Sequence, residues 1–153
     1  MSRRLALLSL HTHGDRSFID DQRLALWSGV LREAGVENDI VLAVLDLRAG
    51  AADPALDLLT SSLADYDVVL FDRLFEHGLV TSLRAAHPSL RFLWAKSEHR
   101  LDVPPADFAL EGDQDLTLPA AVSYIRGERA SPPPGLRRVV AARVQQHVER
   151  PSP

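Results

Sequence analysis

An apolar run at residues 5–10 stops abruptly at two histidines and a glycine, in the order LALLSLHTHGD. A run of this length, bounded by turn-forming residues and followed by a helical pattern, is typical of a strand buried on both faces of a parallel sheet. In open α/β sheets, ligands bind beyond the carboxyl ends of the strands, where the strand order reverses, and the first strand normally borders that point. We therefore predict a binding loop at residues 11–17.

Strand and helix patterns alternate along the rest of the chain. Leu24, Trp27 and Leu31 recur at helical spacing, and Gly35 suits the C-terminal cap of that helix. The predicted helices cover residues 18–34, 54–64, 75–86 and 115–126, with Gly127 closing the last one. The further predicted strands cover residues 40–45, 67–71, 90–95 and 106–110. Residues 125–129 are interpreted as a solvated helix end.

This alternation predicts an α/β fold in which a five-stranded parallel sheet lies between two layers of helices. The expected strand order is the flavodoxin-like, Rossmann-like order 2-1-3-4-5. We expect the domain to cover residues 1–128. Residues 129–153 are proline-rich at their start and are expected to form a short ribbon or a helix that leads out of the domain.

Composition excludes several classes of function. The chain has 153 residues, enough for one domain with its own core, and its net charge of -4 gives no basic surface for nucleic acid. Without cysteine there can be no disulfide, thiolate zinc site or cysteine-ligated iron–sulfur cluster in this chain. The short apolar run near the N-terminus has neither a cleavage site nor the length of a membrane span. We expect a cytoplasmic protein with no membrane partner.

The loops that follow four of the predicted strands should converge on one edge of the sheet. The candidate cofactor-binding residues there are His11, Thr12, His13, Gly14, Asp15, Asp72, Arg73, Leu74, Lys96, Ser97, Glu98, Glu111 and Gly112. The two histidines could ligate a metal, or they could be solvated loop residues, because no third ligand accompanies them. No phosphate-binding glycine loop and no nucleophile motif is present, so no catalytic residue is predicted.

A phosphorylation switch is an alternative interpretation of the same edge. Asp72 directly follows a predicted strand, like the acceptor aspartate of a phosphorelay receiver. A receiver also needs an acidic pair after the first strand to hold magnesium, and a lysine after the fifth. In this chain those places hold Leu10-His11 and Glu111-Gly112.

The last third of the chain carries a family resemblance. Residues 105–118, PADFALEGDQDLTL, are followed by PAAVSYIRGE and then by PPPGLRR. This order resembles the end of the cobalamin-binding domain in cobalamin-dependent radical S-adenosylmethionine enzymes. In that family a segment of the form ADFVVRGEGE, a leucine-bearing helix, a PGL turn and a short ribbon follow one another. Residues 106–108, 111–113 and 134–136 fall in step with this pattern.

The resemblance implies a cofactor and a partner. The chain would hold cobalamin over the carboxyl edge of the sheet, for methyl transfer or radical chemistry performed elsewhere. The partner would be a downstream radical S-adenosylmethionine barrel, in the same parent chain or another, which would carry the iron–sulfur cluster and S-adenosylmethionine. Residues 9–14, SLHTHG, also resemble the Asp-x-His-x-x-Gly ligand motif of other cobalamin domains, which makes His11 the candidate cobalt ligand.

A structural or docking domain that no longer binds cobalamin is the main alternative. After the fourth strand the family usually has a Gly-Gly pair, whereas this chain has the bulky Trp94 and the charged Lys96 in that region. Side chains of this size would leave less room for a corrin. The sequence leaves both interpretations open.

Overall fold

A computed structural model describes residues 4–12, 19–45, 54–71, 77–95, 106–111 and 114–139. The strands are β1 (Leu5–Thr12), β2 (Asn38–Leu45), β3 (Val68–Phe71), β4 (Arg91–Ala95), β5 (Phe108–Leu110) and β6 (Leu136–Arg138). The helices are α1 (Ile19–Glu33), α2 (Pro54–Ser62), α3 (His77–Ala86) and α4 (Gln114–Ile125), and a 3₁₀ turn, Leu63–Asp65, follows α2. The predicted α/β class is confirmed.

The six strands form one mostly parallel sheet in the order β2-β1-β3-β4-β5-β6. The predicted sheet of five parallel strands in the order 2-1-3-4-5 is wrong in strand count and order, because β6 adds to the edge and runs antiparallel to β5. β6 is only three residues long, and two of them are arginines. So short and polar a segment has no strand pattern of its own, and it is a strand because it pairs with β5.

Strand β1 is longer than the sequence pattern predicts. It continues through His11 and Thr12, which pair with Val44 and Leu45 of β2. The first two residues of the predicted loop 11–17 therefore belong to the strand. The polar residues do not end it, because β2 extends equally far and supplies ladder partners.

Two apolar clusters lie on opposite faces of the sheet. Successive β1 residues alternate between them, with Ala6 and Leu8 on one face and Leu5 and Leu7 on the other. The first cluster also contains Leu59 of α2, Leu63, and Val80 and Leu83 of α3. The second contains Leu24, Trp27 and Leu31 of α1 with Leu118, Ala121 and Val122 of α4. Helices therefore cover both faces, as the sequence predicts.

The predicted glycine caps close α1 and α4. Gly35 and Gly127 have φ values of 82° and 78°, in the left-handed region that favours glycine. After α1, the Val36 amide donates to the Leu31 carbonyl at 2.8 Å, and after α4 the Glu128 amide donates to Ser123 at 2.9 Å. Both ends are Schellman caps, which satisfy carbonyls that a helix end leaves unpaired.

Candidate functional site at the carboxyl edge of the sheet

The strand order reverses between β1 and β3. The chain passes from β1 to β2 on one side and then returns to β3 on the other side of β1. Phe71, the last residue of β3, pairs with Leu8, whereas β1 and β2 remain paired as far as Thr12 and Leu45. Among the described residues, the β1–β2 pairing thus continues four residues beyond the last β1–β3 pair. This is the switch point, where open α/β sheets bind their ligands.

Three of the predicted site residues, His11, Thr12 and Glu111, belong to the described part of the chain. His11 and Thr12 lie in the part of β1 that extends past β3, and Glu111 directly follows β5. Phe71, Ala95 and Leu110 are the strand ends that precede the other predicted loops. The predicted residues outside the described part of the chain are His13, Gly14, Asp15, Asp72, Arg73, Leu74, Lys96, Ser97, Glu98 and Gly112. For these ten, and for the phosphorylation switch at Asp72, the sequence predictions stand as predictions.

Glu111 is held by the neighbouring strand. Its backbone amide donates to the Gly135 carbonyl at 2.9 Å, and its Oε1 accepts from Arg137 Nη2 at 3.0 Å. Both side chains of this ion pair are partly exposed. The carboxylate predicted to face a cofactor thus has an arginine of β6 as a partner.

The backbone of Gly135 lies close to the backbone of Glu111 at this edge. Its φ is +86°, and a Cβ added there would lie 2.1 Å from the Glu111 carbonyl oxygen. Any larger residue would collide with backbone, which cannot rotate away as a flexible side chain can. The contact joins the ends of two segments that carry the family resemblance, residues 106–111 and 134–136.

The opposite, amino edge of the sheet carries a charged cluster that the sequence analysis does not identify. Arg4 Nη2 donates to Asp39 Oδ2 at 2.5 Å, and the Tyr66 hydroxyl donates to the same oxygen at 3.0 Å. The Arg4 guanidinium also lies 4.8 Å from the centroid of the Tyr66 ring. The hydrogen bonds from Arg4 and Tyr66 lower the pKa of Asp39, and burial raises the pKa of Tyr66.

Two further ion pairs tie helices to this amino edge. Arg126 contacts Asp67 through two hydrogen bonds, Nε to Oδ2 at 2.8 Å and Nη2 to Oδ1 at 3.0 Å. Arg84 of α3 donates to Asp107 Oδ1 at 2.7 Å. The interpretation of residues 125–129 as a solvated helix end is wrong for Arg126, whose side chain is only 10% exposed. Asp67 is 59 residues away in sequence, so no local pattern indicates the pair.

The described residues include no group of three or more histidine, cysteine, aspartate or glutamate side chains that could hold a metal ion. In the same part of the chain, every helix is too short or too polar to cross a membrane. The fold and the edge define an open α/β domain with a switch point between β1 and β3. Protein-family models and curated proteins were both compared with the sequence, and neither comparison finds a match.

Proposed function

We propose that this chain is a cobalamin-binding-type accessory domain of a radical S-adenosylmethionine enzyme. The observation that carries the proposal is the contact between Glu111 and Gly135. It joins β5 to the turn and short strand that follow the Pro-Gly-Leu sequence, and a Cβ at Gly135 would lie 2.1 Å from the Glu111 oxygen. The resemblance implies this succession of strand, helix, turn and ribbon.

The sheet supports the same proposal. The run β2-β1-β3-β4-β5 within the sheet is consistent with a flavodoxin-like arrangement, to which β6 is added. In such a sheet the switch point between β1 and β3 is the expected ligand position. The corrin would be held at the carboxyl edge, near the ends of β1 and β3.

The position of Trp94 bears on whether this edge can accept a corrin. Trp94 pairs with Phe71 in the sheet, and its side chain is 2% exposed within the cluster beneath α2 and α3. It is therefore part of the core. The burial of Trp94 weakens one of the two arguments for a domain that no longer binds cobalamin. The other argument is the charged Lys96.

The proposed roles follow from position. His11 would be the cobalt ligand, since it lies near the carboxyl end of β1. Thr12, the last residue of β1, and the residues after the strand ends would contact the corrin and its nucleotide tail. The latter are His13, Gly14, Asp15, Asp72, Arg73, Leu74, Lys96, Ser97, Glu98, Glu111 and Gly112. When bound, cobalamin would supply methyl-transfer or radical chemistry to a partner barrel, and this chain would only bind and orient it.

A titration with hydroxocobalamin tests the proposal. Gel filtration should give a protein peak that carries the cofactor, and the absorbance spectrum of that peak should change in a His11→Ala variant. His87→Gln is the control, because this histidine lies away from the carboxyl edge. Its Nε2 donates a hydrogen bond to the Thr60 carbonyl at 2.6 Å. A colourless protein peak at high cofactor concentration would overturn cobalamin binding and favour a structural or docking domain.

A further inference from the structure

A surface cleft of about 410 Å³ lies at the amino edge of the sheet, opposite the proposed cofactor edge. The residues that line it include Arg91 at the start of β4, Phe108 at the start of β5, Arg138 at the end of β6, and Tyr124 and Arg129 near the end of α4. Its volume is within the range of small-molecule sites. The proposed function assigns no role to this cleft.

Three arginines reach the cleft, from β4, from β6 and from the segment after α4. Phe108 pairs with Leu93 on one side and Arg138 on the other, so these residues form one row across the sheet. Arg91 lies two residues before Leu93 and therefore shares its face. Two strand spacings, roughly 10 Å, separate β4 from β6, a distance that two arginine side chains can span towards one ligand. Arg129 adds a third guanidinium from beyond α4.

No carboxylate of the described residues neutralises these three guanidinium groups. Arg129 Nε donates to the Ser131 carbonyl at 2.9 Å, and Arg91 Nη1 to the Pro88 carbonyl at 3.4 Å, both uncharged acceptors. The Arg138 guanidinium lies over the Phe108 ring, 5.5 Å from its centroid. By contrast, Arg126 and Arg137 pair with Asp67 and Glu111.

The carboxylate among the described lining residues already has hydrogen-bond partners. Asp107, which also lines it, accepts from Arg84 at 2.7 Å and from the Phe92 amide at 2.9 Å. The C-terminal end of α4 could attract cations through its free carbonyls. However, the Ser123 carbonyl accepts from Glu128 at 2.9 Å and the Tyr124 carbonyl from Gly127 at 3.0 Å. Among the described residues that line the cleft, positive charge is therefore in excess.

We propose that this cleft binds the phosphate group of a small molecule. A phosphate carries up to two negative charges and three oxygens that can each accept hydrogen bonds, whereas a carboxylate carries one charge and two oxygens. A guanidinium group can donate two parallel hydrogen bonds to two phosphate oxygens. The three arginines, from three parts of the chain, would surround the phosphate. The cavity leaves room for an organic part beside Tyr124.

Isothermal titration of the full chain with inorganic phosphate, at low salt in a chloride buffer, tests this proposal. The Arg129→Gln and Arg138→Gln variants should each weaken binding about tenfold, since each removes charge-assisted hydrogen bonds. Arg137→Gln is the matched control: it removes the same charge one residue away, from a side chain paired with Glu111, and should retain nearly full affinity. Melting curves followed by circular dichroism verify that each variant is folded.

A second titration compares adenosine 5′-phosphate with inorganic phosphate. Tighter binding of the ester would indicate that the organic part contributes contacts, and equal binding would assign recognition to the phosphate alone. The proposal would be overturned if, at millimolar concentration, the wild-type chain bound neither inorganic phosphate nor adenosine 5′-phosphate. An equal loss in Arg137→Gln and Arg138→Gln would also overturn it, because it would indicate general charge attraction. Arg138→Gln should still bind hydroxocobalamin as the wild type does, which separates this proposal from that of the cobalamin edge.

Discussion

Gly135 occupies a backbone position that other residue types can adopt only with strain. Its φ is +86°, and the Glu111 carbonyl oxygen fills the space where a Cβ would lie. Gly127 has a similar φ of +78° but no atom within 4 Å of its added Cβ. Substitutions at these two positions therefore distinguish the free-energy cost of the backbone conformation from the free-energy cost of a steric collision.

We expect Gly135→Ala to lower the free energy of unfolding by about 2 to 4 kcal/mol, because conformational strain and steric overlap add. Gly127→Ala should cost only the conformational part, about 1 kcal/mol. Urea denaturation of both variants measures the difference. Equal losses would mean that the backbone near Glu111 moves aside without cost.

The Asp39 carboxylate makes stability depend on pH in the acidic range. Its folded pKa is lowered, first by the hydrogen bond from Arg4 and then by that from Tyr66. The stabilisation is therefore fully present above the ordinary aspartate pKa of about 3.9 and is lost as the pH falls through the lowered value. Arg4 and Asp39 are both substantially exposed, so the effect is small.

Urea midpoints of the wild type and Asp39→Asn, measured from neutral to acidic pH, check this expectation. The wild type should be the more stable of the two near neutrality, and the difference should shrink on acidification. Tyr66→Phe removes one donor and keeps Arg4, so it should show a weaker form of the same trend. A difference that does not change with pH would contradict the assigned role of Asp39.

Strand β6 shows how an element can depend on its neighbours. It has three residues, pairs with β5, and contributes the buried Leu136 to the cluster beneath α1 and α4. The Val139 amide extends the pairing by donating to the Asp107 carbonyl at 3.1 Å. β6 covers the edge of β5, which would otherwise expose unpaired backbone groups.

Leu136→Ala should lower the free energy of unfolding by about 2 kcal/mol, since it removes buried methyl groups at a site that can partly collapse. Arg137→Ala, at the next residue, is the control and should cost less than about 1 kcal/mol, because its side chain and that of Glu111 are exposed. Chemical denaturation compares the two. A loss of the same small size in both would show that β6 contributes little to the core.

Across the whole molecule, stability should be highest in the middle of the sheet. Val69 and Leu70 of β3 are fully buried, and β3 has parallel neighbours on both sides. β6 lies at an edge, and its two arginines are exposed. Hydrogen exchange should therefore be slowest for paired amides of β3 and faster for those of β6, which can open locally. Amides of β6 that exchange as slowly as those of β3 would indicate that β6 opens only on global unfolding.

Much of this architecture follows from local patterns. The apolar strands, the helices with Trp27 or Leu118 facing inward, and the glycine caps at Gly35 and Gly127 all have signals within a few residues. The position of a ligand edge also follows, because parallel strands bring their carboxyl ends together. Of the candidate site residues, the structure describes His11, Thr12 and Glu111, and it adds for Glu111 a partner, Arg137, that the sequence analysis does not predict.

The sequence by itself determined the α/β class, the alternation of elements and the edge at which a ligand is expected, because hydrophobic periodicity and capping act over short distances. Only the tertiary structure decided that β6 joins the sheet, that Arg126 pairs with Asp67, and that Arg91, Arg129 and Arg138 share one cleft. Each of these depends on residues far apart in sequence, which come together only when the sheet forms.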